Sequence, residues 1–329
     1  MLPILLRIIA VSLGAVAIKE LLSDSKIDYA KGYNSHDQFL RFASNVSLPE
    51  FKKPRLISSR KAIERRITSF FRTKKNVSIP KFYIQGSYKM DTMVLEKDGT
   101  YDVDLGVYFL KKPSVEPSTL QLWVLESIND HTYTGVRHKE KCVRVKYQAE
   151  FDIDLPVYYK TESDAHPFLA TKYKWLESDP KELCDWFDTK KDENGQLVRL
   201  VKYFKTWAKN RPQKMPSGIA FTVWIAKYYK PNVRDDIAFY ETAIAIYDSF
   251  SWSVSCENPA TPGDDLVEKL NSNQKEVFKS ELDNLIEGAG KALQLSNPKK
   301  VNSSWRMLLG KRFPTLEDVN DLNSSKNIA

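Results

Sequence analysis

Two short segments, "YDVDLGVYF" (101–109) and "FDIDLPVYY" (151–159), constrain this 329-residue chain more than any other feature. Each reads as a buried strand, yet each carries two aspartates two residues apart. Side chains at i and i+2 of a strand leave on the same face. Asp102 and Asp104 therefore project together while Val103 and Leu105 go to the other side, and Asp152 and Asp154 repeat the arrangement. Aspartate is depleted in strands, and a buried charge must be paired or bound to a metal. If the two strands are sheet neighbours, up to four carboxylates converge. Like charges raise one another's pKa, and divalent cations relieve the conflict. Oxygen donors suit Mg2+ or Mn2+, and two such ions held by shared carboxylates are the apparatus of nucleotidyl transfer. The plainer alternative for either pair alone is a turn cap, or an exposed strand paired with Lys or Arg.

The surroundings of the first pair sharpen the reading. Sixteen residues before Asp102–Asp104, "KFYIQGS" ends a strand on Gly86-Ser87. Glycine lets backbone N–H groups approach an anion closely, and a serine hydroxyl bonds phosphate oxygens. Neither GxxxxGK[ST] nor GxGxxG occurs, which leaves P-loop and Rossmann readings without support. Cys142, Cys184 and Cys256 lie far apart with no CxxC, and His36, His131, His138 and His166 are scattered. Neither a disulfide framework nor a zinc site is indicated, which suits a reducing cytoplasm. The net charge of +8 favours phosphate-bearing partners without distinguishing a nucleic acid from a nucleotide.

Organisation along the chain is of the α+β class. A basic helix over 59–75 places Ile63, Ile67, Phe70 and Phe71 at helical spacing among Arg60, Lys61, Arg65, Arg66 and Arg72. Strand-like segments alternate with one helix near 120–130, and after about residue 165 the texture becomes helical. In "LVRLVKYFKTWAK", Leu197, Leu200, Val201, Phe204 and Ala208 form an apolar stripe that leaves Lys202, Lys205 and Lys209 opposite. On periodicity alone those lysines read as a solvated face. Residues 1–25 form an apolar segment in which the eleven residues Ile8–Ile18 follow Arg7. A packed or interfacial helix, a short membrane anchor and a cleaved signal are its three readings. Residues 319–329 read as a flexible polar tail.

The segments "FYIQGSYKMDTM…YDVDLGVYF", "FDIDLPVYY" and "KWLESDPKELCDWFD…LVRLVKYFKTWAKNRPQKMPSGIAFTVWIA" resemble the DncV-type bacterial cyclic-oligonucleotide synthases. These stand with cGAS and the oligoadenylate synthases among the polymerase-β-like nucleotidyltransferases. The resemblance runs, with gaps, from about residue 55 to 315. It implies a polymerase-β-like nucleotidyltransferase lobe over 40–165 and a helical lobe over 166–318 that completes the nucleotide site. Asp102, Asp104 and Asp154 correspond to the metal aspartates, the last through "DLPVY". Asp152 departs from the pattern and is a further candidate carboxylate. Gln85, Gly86 and Ser87 match the triphosphate-binding turn, Lys202 the donor-phosphate lysine and Ser217 a second phosphate or sugar contact. Arg144 corresponds, with spacing to Asp154 one residue off the pattern, to a base- or phosphate-contacting arginine.

The implied activity is Mg2+- or Mn2+-dependent condensation of ATP and/or GTP into a cyclic di- or trinucleotide, with two ions. The implied setting is antiphage signalling in the cytoplasm, with a separate effector reading the product and no obligate nucleic acid. The tail "SSKNIA" suggests conjugation by a partner enzyme, and residues 1–22 suggest membrane association. Two alternatives remain at this stage. One is a linear template-independent polymerase of oligoadenylate or tRNA-end type, and the other a catalytically silent nucleic-acid sensor using the basic helix.

Overall fold

The computed structural model describes residues 27–74, 77–148, 150–250 and 253–318. The membrane and signal readings of the N-terminal segment and the tail reading lie outside these residues. Among the described residues no helix is long and apolar enough to cross a membrane.

The sheet is built on β2 (Tyr101–Phe109). β1 (Lys81–Gln85) pairs antiparallel along one edge of it. Along the other edge run β5 (Phe151–Leu155) and β6 (Val157–Tyr159), both parallel to β2. They are one strand interrupted at Pro156, since Tyr101 faces Phe151 and Val107 faces Val157 in unbroken register. Proline has no N–H to give the ladder, but its carbonyl still accepts from Val107 N at 2.9 Å. Outside this pair, β4 (Val143–Tyr147) and β3 (Val136–His138) extend one end of the sheet. β7 (Phe168–Ala170) and β8 (Trp175–Glu177) extend the other.

Alternation sorts the residues of β2, β5 and β6 by parity. Odd positions from Tyr101 to Phe109 and from Phe151 to Tyr159 enter one apolar core. That core is closed by the buried stripe of α2 (Lys53–Thr73), comprising Leu56, Ile63, Ile67 and Phe71. Leu120 and Val124 of α4 (Pro117–Ser127) complete it. The short helix α3 (Gly86–Lys89) follows β1 directly. Even positions face the other way, and the aspartates are among them.

A second core gathers α1 (His36–Val46), α5 (Pro180–Asp188), α6 (Gln196–Lys209), α7 (Gly218–Tyr228), α8 (Asp235–Asp248), α9 (Ser272–Gln294) and α10 (Pro298–Leu309). By packing, α1 joins this helical body although it precedes the sheet in sequence. The ring of Phe39 stands edge-on to Tyr203 at 5.1 Å and to Trp305 at 4.9 Å. α6 is the axis: its apolar stripe is buried as expected, and so are Tyr203, Thr206, Trp207 and Lys205 on other faces.

One buried carboxylate ties these helices together. Asp235 is fully buried and receives Nε and Nη2 of Arg199 at 2.7 and 2.9 Å, Tyr203 Oη at 2.8 Å and Gln196 Nε2 at 2.8 Å. Burial pushes its carboxyl up, but these donors outweigh burial and hold it below the ordinary value. Its contribution is therefore present at neutral pH and lost in acid. Asp235→Ala removes the acceptor of Arg199 Nε and Nη2, while Tyr203 Oη keeps the Phe39 carbonyl at 2.8 Å. The expected loss is about 3 kcal/mol, read as a lower urea midpoint at unchanged slope, and it should shrink below pH 4.

Candidate active site

Parallel pairing of β2 with β5 makes Asp102 the register partner of Asp152 and Asp104 that of Asp154. The two acidic pairs thus form two ranks on one face, as the i, i+2 spacing required. Asp104 is half-buried. Burial, followed by the charges of Asp154 and Asp102, pushes its carboxyl up to about 7. Burial also raises Asp102, with Arg144 opposing.

Arg144 is the main counter-charge, reaching from β4 across β5 to β2. It forks onto Asp154 through Nε and Nη2, both at 2.7 Å, gives Nη1 to Asp152 at 3.0 Å and Nη2 to Asp102 at 3.1 Å. Lys139 Nζ adds a cation 3.7 Å from Asp154. Among the described residues, Asp104 alone of the four carboxylates makes no ion pair. Arg144, expected to contact a base or phosphate, is bonded here to carboxylates and is not among the residues lining the adjoining cleft.

The glycine turn lies against the carboxylates. Gly86 has φ +66°, and a Cβ there would lie 2.3 Å from Asp104 Oδ2, so the chain passes directly over that carboxylate. Ser87 and Gly86 line a cleft of about 570 Å³ together with Asp102 and Asp104. From the helical body, Lys205, Lys209, Ser217 and Gly218 line its opposite wall. Ser217 caps α7, its Oγ accepting from Ala220 N at 3.2 Å.

Two of the expected nucleotide contacts, Gln85 and Lys202, lie away from the cleft. Gln85 does not face the cleft. Its side chain turns along the sheet over Gly106, accepts from Tyr108 Oη and donates to Tyr158 Oη, both at 3.1 Å, and is only 5% exposed. It props the stacked Tyr108 and Tyr158 rings (centroids 4.5 Å apart) and supports the sheet behind Asp104. Lys202 is directed to α1, with Nζ donating to Ser47 Oγ at 2.8 Å, and does not line the cleft. The lysines that do are Lys205, one helical turn on, and Lys209, and of the two Lys205 is the buried one. Lys205 Nζ donates to Thr92 Oγ1 and Thr92 O at 3.0 and 3.2 Å. Burial, followed by the charges of Lys209 and Lys202, pulls its ammonium down to about 7. A spacing argument alone does not separate positions 202, 205 and 209, because all three fall on one side of the helix.

The donor set of Asp102, Asp104 and Asp154 fits a hard divalent cation: all its atoms are carboxylate oxygens, and Asp104 is a half-buried acid that makes no ion pair among the described residues. Their oxygens are nevertheless not drawn together by the fold alone. Among the described residues, the trio with ligand atoms all within 4.8 Å of one another is His166, Asp179 and Glu182. That trio, which histidine spacing did not reveal, sits at the start of α5. There Asp179 already caps Glu182 N and Lys160 Nζ stands 4.0 Å away.

A buried lysine with a lowered pKa makes stability depend on pH. The unfolded chain keeps the Lys205 proton up to the ordinary lysine range near 10.5, whereas the fold sheds it near 7. Between those values the unfolded state binds more protons, so stability rises with pH, and below about pH 7 the full cost of the buried ammonium applies. Lys205→Met should therefore raise the melting temperature of the nucleotide-free protein at pH 6–7, reflecting a stability gain of a few kcal/mol at most at ~1.4 kcal/mol per pKa unit. The gain should fade toward pH 10. Melting curves across that range check it.

Comparison with known proteins follows this geometry. Residues 80–158 match the family model described as "Cyclic GMP-AMP synthase DncV-like, nucleotidyltransferase domain". A protein named cyclic GMP-AMP synthase from Escherichia albertii is 31% identical over 201 residues, 54% of this chain and 44% of that protein. The match thus spans less than half of that relative's length. A cyclic AMP-AMP-AMP synthase from an Acinetobacter species is 23% identical over 74% of this chain and 75% of its own length. Among solved structures, the Vibrio cholerae DncV cyclic AMP-GMP synthase superposes with a TM-score of 0.74 at 19% identity, over 86% of this chain and 98% of that one. The fold is therefore that of DncV, with its mixed sheet and helical C-terminal body. The stretch from β1 to β6, which carries all four aspartates, is similar to the DncV-like nucleotidyltransferase domain, and the chain as a whole shares the DncV fold.

Proposed function

We propose that the chain is a metal-dependent nucleotidyltransferase that condenses ATP and/or GTP into a cyclic di- or trinucleotide. The observation that carries the reading is the cleft itself, with two ranks of strand-borne carboxylates on one wall and Lys205 with Ser217 on the other. The names of the relatives, one a dinucleotide and one a trinucleotide synthase, and DncV structures holding GTP or a linear pppApG intermediate support the product class.

Asp102, Asp104 and Asp154 would hold Mg2+ or Mn2+, two ions in the family scheme, which when bound supply Lewis-acid polarisation of phosphoryl oxygens and a more acidic attacking hydroxyl. The chain's own groups do the rest. Ser87, beside the open glycine turn, and Lys205 flank the donor triphosphate. Ser217 and the first N–H groups of α7 face it from the opposite wall, where a helix N-terminus favours an anion. A ribose hydroxyl of the acceptor attacks the donor α-phosphorus. The new O–P bond forms as the bond to pyrophosphate breaks, and the hydroxyl proton leaves into the carboxylate ranks or solvent. A second round on the remaining triphosphate closes the ring.

Gln85 and Lys202 take supporting places here, not ligand places. A separate effector reading the product in antiphage signalling remains part of the proposal, carried by the family resemblance. So does a cytoplasmic setting, which the three buried free cysteines suit. The nucleic-acid-sensor alternative loses ground to one observation. On α2, Arg66 is paired with Asp130 and Arg60 with Glu64, which leaves less free positive charge than the sequence suggested.

Incubation with the four labelled nucleotides and Mg2+ or Mn2+, followed by phosphatase and mass analysis, tests the reading. A phosphatase-resistant product that disappears in Asp102→Ala/Asp104→Ala is expected. A phosphatase-sensitive ladder would indicate the linear polymerase. Undiminished nucleotide consumption by the double variant would refute the site.

A further inference from the structure

The Arg144 cluster points to a built-in control of the carboxylate site. The inference rests on the reading of Asp102, Asp104 and Asp154 as cation ligands. Both oxygens of Asp154 accept N–H bonds from Arg144 at 2.7 Å, and Asp102 Oδ2 accepts a third at 3.1 Å. A guanidinium so placed and a divalent cation compete for the same acceptor atoms and repel each other. Arg144 must therefore release Asp102 and Asp154 before those oxygens can serve a cation. The fourth bond is different. Nη1 reaches Asp152 Oδ2 at 3.0 Å, and Asp152 is the one carboxylate of the cluster with no counterpart in the ligand set. It lies on the same face of β5, and the Arg144 side chain already reaches it, so the bond to Asp152 can persist when the other three are given up.

We propose that Arg144 is a movable clamp on the carboxylate ranks and that Asp152 is the seat that retains it when the clamp opens. Both are positioning residues, acting through Asp102 and Asp154. In the closed arrangement the guanidinium neutralises charge that would otherwise strain the sheet. In the open one Asp152 keeps it at hand, so that it does not need to be fully hydrated. Opening draws on the affinity of the first ion, because a site that is competent only part of the time binds with an apparent affinity reduced by that fraction. The clamp thereby makes metal binding weak in the resting protein and dependent on nucleotide, whose phosphates contribute further ligands.

The test is Mn2+ binding to the full-length protein without nucleotide, read from the EPR signal of free Mn2+. Arg144→Gln is expected to bind Mn2+ roughly tenfold more tightly than wild type, with Arg144→Lys, which keeps charge but not the fork, in between. Asp152→Asn is expected to weaken binding several-fold, because Arg144 loses its alternative seat. The double variant Arg144→Gln/Asp152→Asn should match Arg144→Gln, since Asp152 acts only through Arg144. Melting curves in EDTA and in Mn2+ identify any variant that fails to fold, and Arg144→Lys then replaces Arg144→Gln in the cycle. Unchanged or weaker affinity in both Arg144 variants overturns the clamp. An Asp152→Asn penalty that persists in the double variant also overturns it, by making Asp152 a direct ligand. If no Mn2+ binding sensitive to Asp104→Asn is found in any protein, with or without ATP, the carboxylate reading itself fails and the clamp with it.

Discussion

The structure turns on the parallel pairing of β2 with β5. That register alone brings Asp102 beside Asp152 and Asp104 beside Asp154. Neighbouring strands lie about 4.8 Å apart. Two bare carboxylates at that spacing repel by roughly 3 kcal/mol at an effective dielectric near 20. The sheet withstands this because the opposite face of the same strands is wholly apolar, from Tyr101 and Phe151 through to Phe109 and Tyr159. Burial on one face supports a charge cluster on the other, which is a stability concession characteristic of a functional site.

The remaining features of the site answer that concentration of charge. Arg144 and Lys139 supply cations from the sheet, and Lys205 supplies one from the helical body, whose ammonium is close enough to feel Asp104. Lys205 is buried at some cost, on the helix around which the second core is packed. The two bodies are thus coupled through the cleft, where Lys205 also bonds Thr92. Gly86 matters for the same reason: its left-handed turn lets the chain reverse directly over Asp104, and any side chain there would collide with that carboxylate.

Much of this was legible in the sequence, and what was not has identifiable physical causes. Alternation and the i, i+2 spacing determine that Asp102 with Asp104, and Asp152 with Asp154, share a face. They say nothing about which strands are neighbours, so convergence stayed conditional until the pairing was seen. Helical periodicity placed Lys202, Lys205 and Lys209 together but could not tell which of them faces the cleft, because that depends on how α6 is rotated against α1 and the sheet. Gln85 adjoins the glycine turn in sequence and was read with it. Only the space left by Gly106 reveals that its amide runs back to Tyr108 and Tyr158. Arg144 was noticed for its spacing, but an arginine's reach over two strands is a matter of three dimensions. The helices after residue 270, α9 and α10, carried no site motif and drew no attention, although Trp305 anchors the second core.

The central claim is that the carboxylate ranks and the Lys205–Ser217 wall form one nucleotide site. A crystal structure with a non-hydrolysable triphosphate and Mg2+ tests it most directly. The account predicts the triphosphate between Ser87, Lys205 and Ser217, with metal on Asp102, Asp104 and Asp154. A triphosphate bound elsewhere on the molecule, with the aspartates free of metal, would contradict it.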